Sequence, residues 1–588
     1  LNPFQLIIIS YPQPNTMEQP TIARENLFES ILVSFHNVAT PMLIPVLEPI
    51  PSDKSDKSDK SEEEETKAKD PFTYDFNLFK ENPEMKFGIL ELQMADTPIL
   101  SGHQVLDTNV DMSGSMDDDC ADGKTKMQHA KHTLKNIITS LSKTPEASVS
   151  LTTYGFDDKV EKILEDEQIT PDSANRLRET IDKNLQSRGG TNIYDPLKHQ
   201  SARASANHEQ TPNLRQMNIT LTDGIANQGI VKYSEIATQV AENCANIFIG
   251  FGSDHDANGL QQLADAQPNG SYFFVAEIEK AALVFGEVIH QMLYTSLINI
   301  TISVENGEIY DYKTNAWQTS INVDSIVSEA KKTYHLRSTT PEKTYVDIIA
   351  QSLVHNDQEA SPFDLDDLIL CKHPEEVVDL TINMFRQRTQ ELIFKAHKHS
   401  TTQPTTRDGQ EDWFESTKSI RKELVNFIKF MSQYSKENSL EECELLNNFI
   451  TDLVVITKTF GGPRASLYSA TKRNSQGRQT SNNTNYIDPR DIAQARQQLQ
   501  PQLQPILFRQ NALGVFPNQL FRSNSTPDDP TTQLDDFDLD TIGNLPTPPT
   551  LSRGLTRTYT TPRQATLMRS LTGDTQSDDL DSLTQPQP

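Results

Sequence analysis

Val105-Leu106-Asp107-Thr108-Asn109-Val110-Asp111-Met112-Ser113-Gly114-Ser115 is the stretch that decides the fold. A strand-prone run, Gln104–Val110, ends directly in a D-x-S-x-S sequence. Downstream, residues 124–142 place Met127, Ala130, Leu134, Ile137, Ile138 and Leu141 at helical spacing. The alternation then continues: a strand over Ala147–Tyr154, a helix over Asp172–Leu185 opened by Thr170 and Pro171, and a helix over Tyr194–Ala206. A strand over Met217–Thr222, a helix over Lys232–Glu242, strands over Ile247–Gly252 and Ser271–Val275 and a closing helix over Ile278–Leu293 complete it. Such alternation predicts an α/β domain, a doubly wound and mostly parallel sheet with helices on both faces.

Three separated pieces carry chemistry in this frame. They are Asp111, Ser113 and Ser115 after the first strand, Thr191 in SRGGTNIYDPL, and Asp223 in LTDG after a central strand. All fall at carboxyl ends of strands or in loops entering helices, the edge where open parallel sheets bind ligands. Hydroxyls of Ser113, Ser115 and Thr191 and carboxylates of Asp111 and Asp223 form a hard oxygen set that suits Mg²⁺; Mn²⁺ or Ca²⁺ are the alternatives. A cation held largely by neutral groups keeps its attraction for one more anion, such as a partner's Asp or Glu.

The ordered set DxSGS, GGT and TDG resembles the metal-ion-dependent adhesion site (MIDAS) of von Willebrand factor A (vWA) domains. The resemblance implies Asp111, Ser113, Ser115, Thr191 and Asp223 as metal ligands. KFGILELQM (Lys86–Met94), SGSM followed by GKTKMQHAK, SRGGTNIYDPL and RASLYSATKRNSQGRQT are similar to intracellular eukaryotic and large-DNA-virus proteins. In these a vWA domain precedes a vWA/hedgehog-intein-like region. The likeness spans roughly residues 85–480. Two departures stand out. Asp107 and Asn109 interrupt an apolar strand and need partners if buried, so a short strand or a shifted register is expected. Asp117, Asp118, Asp119 and Asp122 form an inserted acidic loop, read either as solvated or as a second cation site.

After Leu297 apolar alternation flanks Asn306-Gly307, which predicts a hairpin within a small β-sandwich unit. Three amphipathic helices follow, Glu375–His399, Trp413–Tyr434 and Leu440–Thr459, whose apolar stripes predict a small bundle. The expected organisation is an N-terminal segment with an acidic SDK-repeat linker (1–84), the vWA domain with a preceding strand (85–295), a β-rich unit (296–360), a helical region (361–460) and a disordered tail (461–588). Within the tail, LDDFDLD (Leu534–Asp540) suggests autoinhibition, with Asp535, Asp536 or Asp538 reaching the metal in cis. Thr547-Pro548 and Thr561-Pro562 are candidate phosphorylation sites.

The formal net charge of −29 argues against a nucleic-acid binder, which needs a basic face. No apolar run reaches the ~20 residues of a membrane span; Leu6–Ile9 is too short for a signal-peptide core. Four scattered cysteines without a C-x-x-C pair suggest free thiols. We read the chain as intracellular and cytoplasmic, in the virion if it is viral, with Met17 as a candidate start. No P-loop, G-x-S-x-G or H-E-x-x-H sequence is present, and His397 and His399 read as a solvated helix end. The expectation is therefore a cation-dependent protein-binding module or scaffold rather than an enzyme. An adaptor in a ubiquitin-type pathway and a metal-assisted enzyme are the alternatives.

Overall fold

A computed structural model of the chain describes residues 27–36 and 84–353, apart from residues 101, 120–122, 145, 212–213, 253–254 and 276–277. It further describes residues 361–364, 369–370, 378–402, 407–480, 487, 489–499 and 559–572. The SDK repeat, the LDDFDLD segment with its three candidate carboxylates, Thr547-Pro548, Asp122 and Met17 lie outside these residues.

Two strands, β1 (Phe28–Phe35) and β2 (Lys86–Met94), precede the α/β body. The body contains β3 (His103–Asp111), α1 (Lys126–Ser142), β4 (Ser148–Phe156), β5 (Val160–Gln168), α2 (Ala174–Asn184) and α3 (Tyr194–Gln210). It continues with β6 (Arg215–Thr222), α4 (Tyr233–Ile236), β7 (Ala245–Phe251), α5 (Ala257–Ala264), β8 (Gly270–Val275) and α6 (Ile278–Tyr294). Strand order is β5-β4-β3-β6-β7-β8, parallel except for the β4–β5 pair. One apolar layer packs α1, α2 and α6 against the sheet and the other packs α3, α4 and α5, so the doubly wound architecture stands. Three details differ from expectation. The edge strand β5 has the burial pattern of a half-exposed strand, and its charged sequence VEKILEDEQ hides it from an apolar count. The short α5 went unrecognised. Lys232–Glu242 makes one α-turn and a 3₁₀ turn instead of a full helix.

Strand β3 is full length and in regular register with β4 and β6, so it is neither short nor shifted. Its two unexpected polar residues are partnered in part, Asn109 Oδ1 having no hydrogen-bond partner among the described residues. Buried Asp107 pairs with Arg203 at 3.0 Å and accepts from Gln216 Nε2 at 3.1 Å, while Asn109 Nδ2 reaches Thr220 Oγ1 at 3.5 Å.

The sandwich corrects the expected boundaries. Beyond α6 come β9 (Thr295–Glu305), β10 (Glu308–Asp311), β11 (Ala316–Gln318), β12 (Ser320–Val323), β13 (Ile326–Val327), β14 (Lys331–Ser338), β15 (Tyr345–Ser352), β16 (Ser361–Asp364) and β17 (Ile369–Leu370). One sheet runs β1-β2-β14-β10-β11 and the other β12-β9-β15-β16, with β13 on β9 and β17 on β15. KFGILELQM is thus a sandwich strand, paired with β1 and β14, and not part of the α/β body it precedes. Leu90, Leu92, Val33 and Phe35 bury in one core with Leu297, Ile302 and Leu336. The Asn306-Gly307 turn makes no hairpin. Asn306 takes a left-handed φ of 56°, but β9 and β10 pair into different sheets, so the turn is a corner between layers.

The α/β body is therefore an insertion between β2 and β9. Its entry and exit cross side by side: Leu100 N donates to Leu293 O at 3.0 Å, Thr97 N to Ser328 Oγ at 2.8 Å, and the Thr97 and Ser296 hydroxyls lie 3.0 Å apart.

The helical region comprises α7 (Thr381–Thr401), α8 (Arg407–Glu437) and α9 (Glu444–Thr459), with Phe385, Leu424, Phe427, Phe449 and Leu453 in its core. His397 and His399 are half-buried and packed instead of free at a solvated helix end. His397 Nδ1 meets Ser469 Oγ at 3.1 Å, and His399 stacks on Trp413 at 4.8 Å between ring centres. Among its described residues, the stretch read as tail from residue 461 contains the helices α10 (Ala465–Arg478), α11 (Pro489–Leu499) and α12 (Pro562–Thr572). Helix α10 buries Leu467 and Ala470 against the α/β body, and α12 buries Leu571 beside α6. Their polar sequences concealed them because small and amide side chains, such as Ser469, Ser475 and Gln476, supply the buried faces. Among the described residues no helix is long and apolar enough to cross a membrane.

Candidate functional site

Strands β3 and β6 lie side by side, Val110 opposite Leu221, and end on the same sheet edge. Chain order reverses across this pair, one connection leaving toward β4 and the other toward β7, which opens a crevice at their carboxyl ends. Asp111 and Asp223 sit in it, fully shielded from solvent or nearly so. Asp111 Oδ1 accepts from Ser113 N at 2.7 Å and Oδ2 from Thr222 Oγ1 at 2.5 Å. The Ser113 and Ser115 hydroxyls are 3.0 Å apart, and Ser115 Oγ donates to Asp223 Oδ1 at 2.9 Å. Four of the five expected ligands thus form one contiguous oxygen cluster.

Thr191 arrives from the loop entering α3. Backbone bonds lash this loop to the D-x-S-x-S loop: Gly114 N to Gly189 O at 3.1 Å and Arg188 N to Met112 O at 2.5 Å. Thr191 O accepts from Asn227 N and Gln228 N, and Thr191 N donates to Asn227 Oδ1 at 2.8 Å. Its hydroxyl then abuts Gly224: a Cβ there would lie 2.8 Å from Thr191 Oγ1. The glycine of TDG is what lets Thr191 reach the crevice.

Lys126 is the residue that sequence reasoning missed. Its ammonium donates to Asp223 Oδ2 at 2.6 Å and lies 3.4 Å from Asp118 Oδ2, with the side chain 9% exposed. A capping box fixes its place. Thr125 Oγ1 accepts from Gln128 N at 3.2 Å and Gln128 Oε1 accepts from Thr125 N at 3.0 Å, so α1 starts at Lys126. The signal was legible as T-x-x-Q before an apolar run. Burial works against the charge on Lys126, but hydrogen bonding and attraction to Asp223 outweigh it and hold the ammonium above its ordinary range. Burial pushes the Asp111 carboxyl up to about 6, against hydrogen bonds from Thr222 and Ser113.

The acidic loop divides. Asp117 ends a 3₁₀ turn, Asp118 faces Lys126, and Asp119 bridges Thr125, closing the loop onto the start of α1. Among the described residues no group of three or more His, Cys, Asp or Glu side chains is placed to hold a metal. Any cation in the crevice would instead take two carboxylates and three hydroxyls, and the oxygen set fits a small hard ion.

Residues 109–225 match the family model of the von Willebrand factor type A domain. No curated protein sequence matches the chain significantly. Among solved structures, it is similar to a von Willebrand factor type A protein from Catenulispora acidiphila, at 13% identity and a TM-score of 0.43, over 70% of this chain and 91% of that one. It is also similar to the ArnB paralog VWA2 from Sulfolobus acidocaldarius, at 15% identity and a TM-score of 0.41, over 67% of this chain and 94% of that one. A third neighbour is proximal thread matrix protein 1 of the mussel byssus, with a zinc-occupied MIDAS motif, at 20% identity and a TM-score of 0.26 over 34% of this chain and 47% of that one.

Proposed function

We propose, from the premise that the chain carries a vWA domain, that it is a divalent-cation-dependent protein-binding module whose cation captures an Asp or Glu of a partner. Asp111, Ser113, Ser115, Thr191 and Asp223 hold the cation, Mg²⁺ in the cell, and the cation supplies a Lewis-acidic landing point for the carboxylate. Charge balance supports this. Asp111 and Asp223 bring two negative charges and Lys126 returns one positive charge at 2.6 Å. A divalent ion in that set keeps a net positive charge with which to draw an anion.

The observation that carries the reading is the apolar rim. Ile225, two residues past Asp223, is 55% exposed, and Val231 in the same loop is 49% exposed. Large apolar side chains left in water beside a buried polar cluster suit a protein contact better than a small soluble substrate. The exposed Asp117, Asp118 and Asp119 stand on the other side. The favoured partner segment therefore has a carboxylate flanked by apolar and basic residues. On this reading the protein is a scaffold, not an enzyme.

The test is capture from host lysate by the full chain, with Mg²⁺ or chelator, as wild type, Asp111→Ala and Ile225→Asp. A partner held only by wild type with Mg²⁺ is expected. Ile225→Asp should lose the partner while still binding the ion. The same proteins retained by all samples, chelator included, would overturn the proposal.

A further inference from the structure

A cavity of about 260 Å³ lies where α6, the sandwich, α7, the end of α10 and the C-terminal segment meet, remote from the metal cluster. Its walls mix apolar surface with several charged side chains. Five cations line it (Lys313, Lys331, Lys332, Arg386 and Arg478) with four carboxylates, and Lys331 is paired with Glu91 at 2.8 Å.

The pairing inside is incomplete. Asp324 is taken by Arg478 at 2.6 Å and Lys313 at 3.2 Å. Among the described residues Arg386, 2% exposed, bonds carbonyls alone, Thr333 O at 3.1 Å and Gln476 O at 3.3 Å. Lys332 likewise bonds Arg478 O at 2.8 Å and Gln479 O at 3.2 Å. Neither has a carboxylate within ion-pair distance among the described residues. Three of these acceptors are the last carbonyls around the C-terminus of α10, whose dipole is worth only about half a charge. That does not offset the charges of buried Arg386 and part-buried Lys332, although Glu287 and Asp324 act on Lys332 from beyond ion-pair distance.

Four buried polar atoms of residues that line the cavity have no hydrogen-bond partner among the described residues: Arg386 Nε, Arg478 Nε, Tyr312 Oη and His335 Nε2. Three carry or can carry a proton to donate, and the imidazole nitrogen can do so in one tautomer. Buried donors left unmatched are costly. What is missing is an acceptor-rich group with negative charge. The space exceeds that of a water molecule, about 30 Å³, and falls just below the roughly 300 Å³ at which drug-sized ligand sites begin.

We propose that this cavity is a binding site for a phosphate group, free or as the monoester of a small molecule, held by Lys332, Arg386, Arg478 and Tyr312. The segment Tyr559–Gln564 covers it. Tyr559 Oη donates to Gln476 Oε1 at 3.0 Å, Arg386 lies 5.8 Å from the Tyr559 ring centre, and Thr561 Oγ1 meets His290 Nε2 at 3.2 Å. Ligand binding and docking of α12 are therefore coupled through Arg386 and Gln476. The site is independent of the metal cluster.

The experiment is titration calorimetry on the full chain with inorganic phosphate, with ribose 5-phosphate, and with chloride at matched ionic strength. The same titrations are run on Arg386→Gln and Lys332→Met, and amide exchange of residues 562–572 is followed in the wild type. Saturable one-site binding by the wild type is expected, at least tenfold weaker in each variant, with exchange in α12 slowed by ligand. Tighter binding of ribose 5-phosphate assigns the site to a phosphomonoester, and equal binding assigns it to free phosphate. No saturable heat from either phosphate, or unchanged affinity in both variants, overturns the proposal. If a variant does not fold, the wild-type isotherm and the exchange in α12 decide alone: both flat overturns it.

Discussion

Replacing Gly224 by Ala should disable the metal cluster without removing a ligand. The new Cβ would stand 2.8 Å from Thr191 Oγ1 and 3.3 Å from its Cγ2. Relief to ordinary contact near 3.4 Å requires Thr191 to retreat by about 0.6 Å. The threonine cannot retreat freely, because its N–H and carbonyl are both pinned by Asn227 and Gln228. Mg²⁺ needs its oxygens at about 2.0–2.1 Å in near-ideal octahedral geometry, so such a shift forfeits that ligand. Losses from one disturbed supporting contact run about 10–100-fold in metal affinity, or about 1.4–2.8 kcal/mol. Gly224 has no left-handed φ, so alanine suits its backbone and thermal stability should stay within a few degrees. The assay is Mn²⁺ binding by electron paramagnetic resonance, with Mg²⁺ competition. Gly114→Ala is the control, since its nearest contact would be an ordinary 3.7 Å from Gly189 O. Wild-type affinity in Gly224→Ala, or equal losses in both variants, would refute the reasoning.

Lys126→Met removes a positive charge 2.6 Å from Asp223. Repulsion of a nearby cation by that charge is worth several kcal/mol at an effective dielectric near 20, so Mn²⁺ affinity should rise at least about tenfold while capture of a carboxylate partner weakens. A weaker Mn²⁺ signal would contradict this. Asp107 offers a pH test: burial pushes its carboxyl up to about 7, against the pull of Arg203. A raised pKa means that the folded state binds the proton more tightly. The contribution is therefore complete below about pH 4 and lost as pH rises through about 7, with an upper bound on the order of 4 kcal/mol. Asp107→Asn should flatten stability across pH 4–7.5 in denaturant melts; parallel curves for the two proteins would count against it. Finally, Met568 is 1% exposed and fills the space that Gly286 leaves on α6. Met568→Asp buries a charge there, so α12 should lose at least tenfold in amide-exchange protection while the α/β body keeps its own. Undiminished protection in α12 would show that its docking does not depend on this contact.

How far the sequence could be read depended on which physical signal each part carries. The α/β order was legible because strand-prone stretches at β3, β6, β7 and β8 alternate with helical periodicity, and the placing of Asp111, Ser113, Ser115, Thr191 and Asp223 at one sheet edge follows from that order. Lys126 was hidden for a different reason. A lysine entering a helix reads as solvated, and only the fold brings it to Asp223, 97 residues away. Strand β2 was grouped with the α/β domain it precedes because its sheet neighbours, β1 and β14, are distant in the chain, and periodicity says nothing of partners. Asn306-Gly307 shows the same limit. The dipeptide correctly marks a left-handed turn, but the choice between hairpin and sandwich corner belongs to strands β12, β14 and β15. Helix α10 failed on composition. Lys472 pairs with Asp452 at 2.8 Å in full burial and Gln476 donates to the same carboxylate at 2.6 Å, so a polar helix is held inside by polar bonds that no hydrophobic pattern can announce.

The insertion bears on how the metal face is presented. The body joins the sandwich through Leu100 and Leu293, next to the start of β3 at His103. Asp111 lies eight residues farther along the same strand, and at about 3.3 Å per residue that separation is roughly 26 Å. The sandwich is thus rooted at the sheet edge opposite the ligands. Two crossings tied by the Thr97–Ser328 and Thr97–Ser296 contacts resist hinging better than a single linker would. Arg563 reinforces the joint from a third direction, donating to Thr97 O and pairing with Asp96, both at 2.6 Å. The chain closes its own C-terminal segment over the root of the domain, away from Ile225, Val231 and the Asp111–Asp223 crevice, an arrangement that suits the proposed role of presenting one rigid face to a partner.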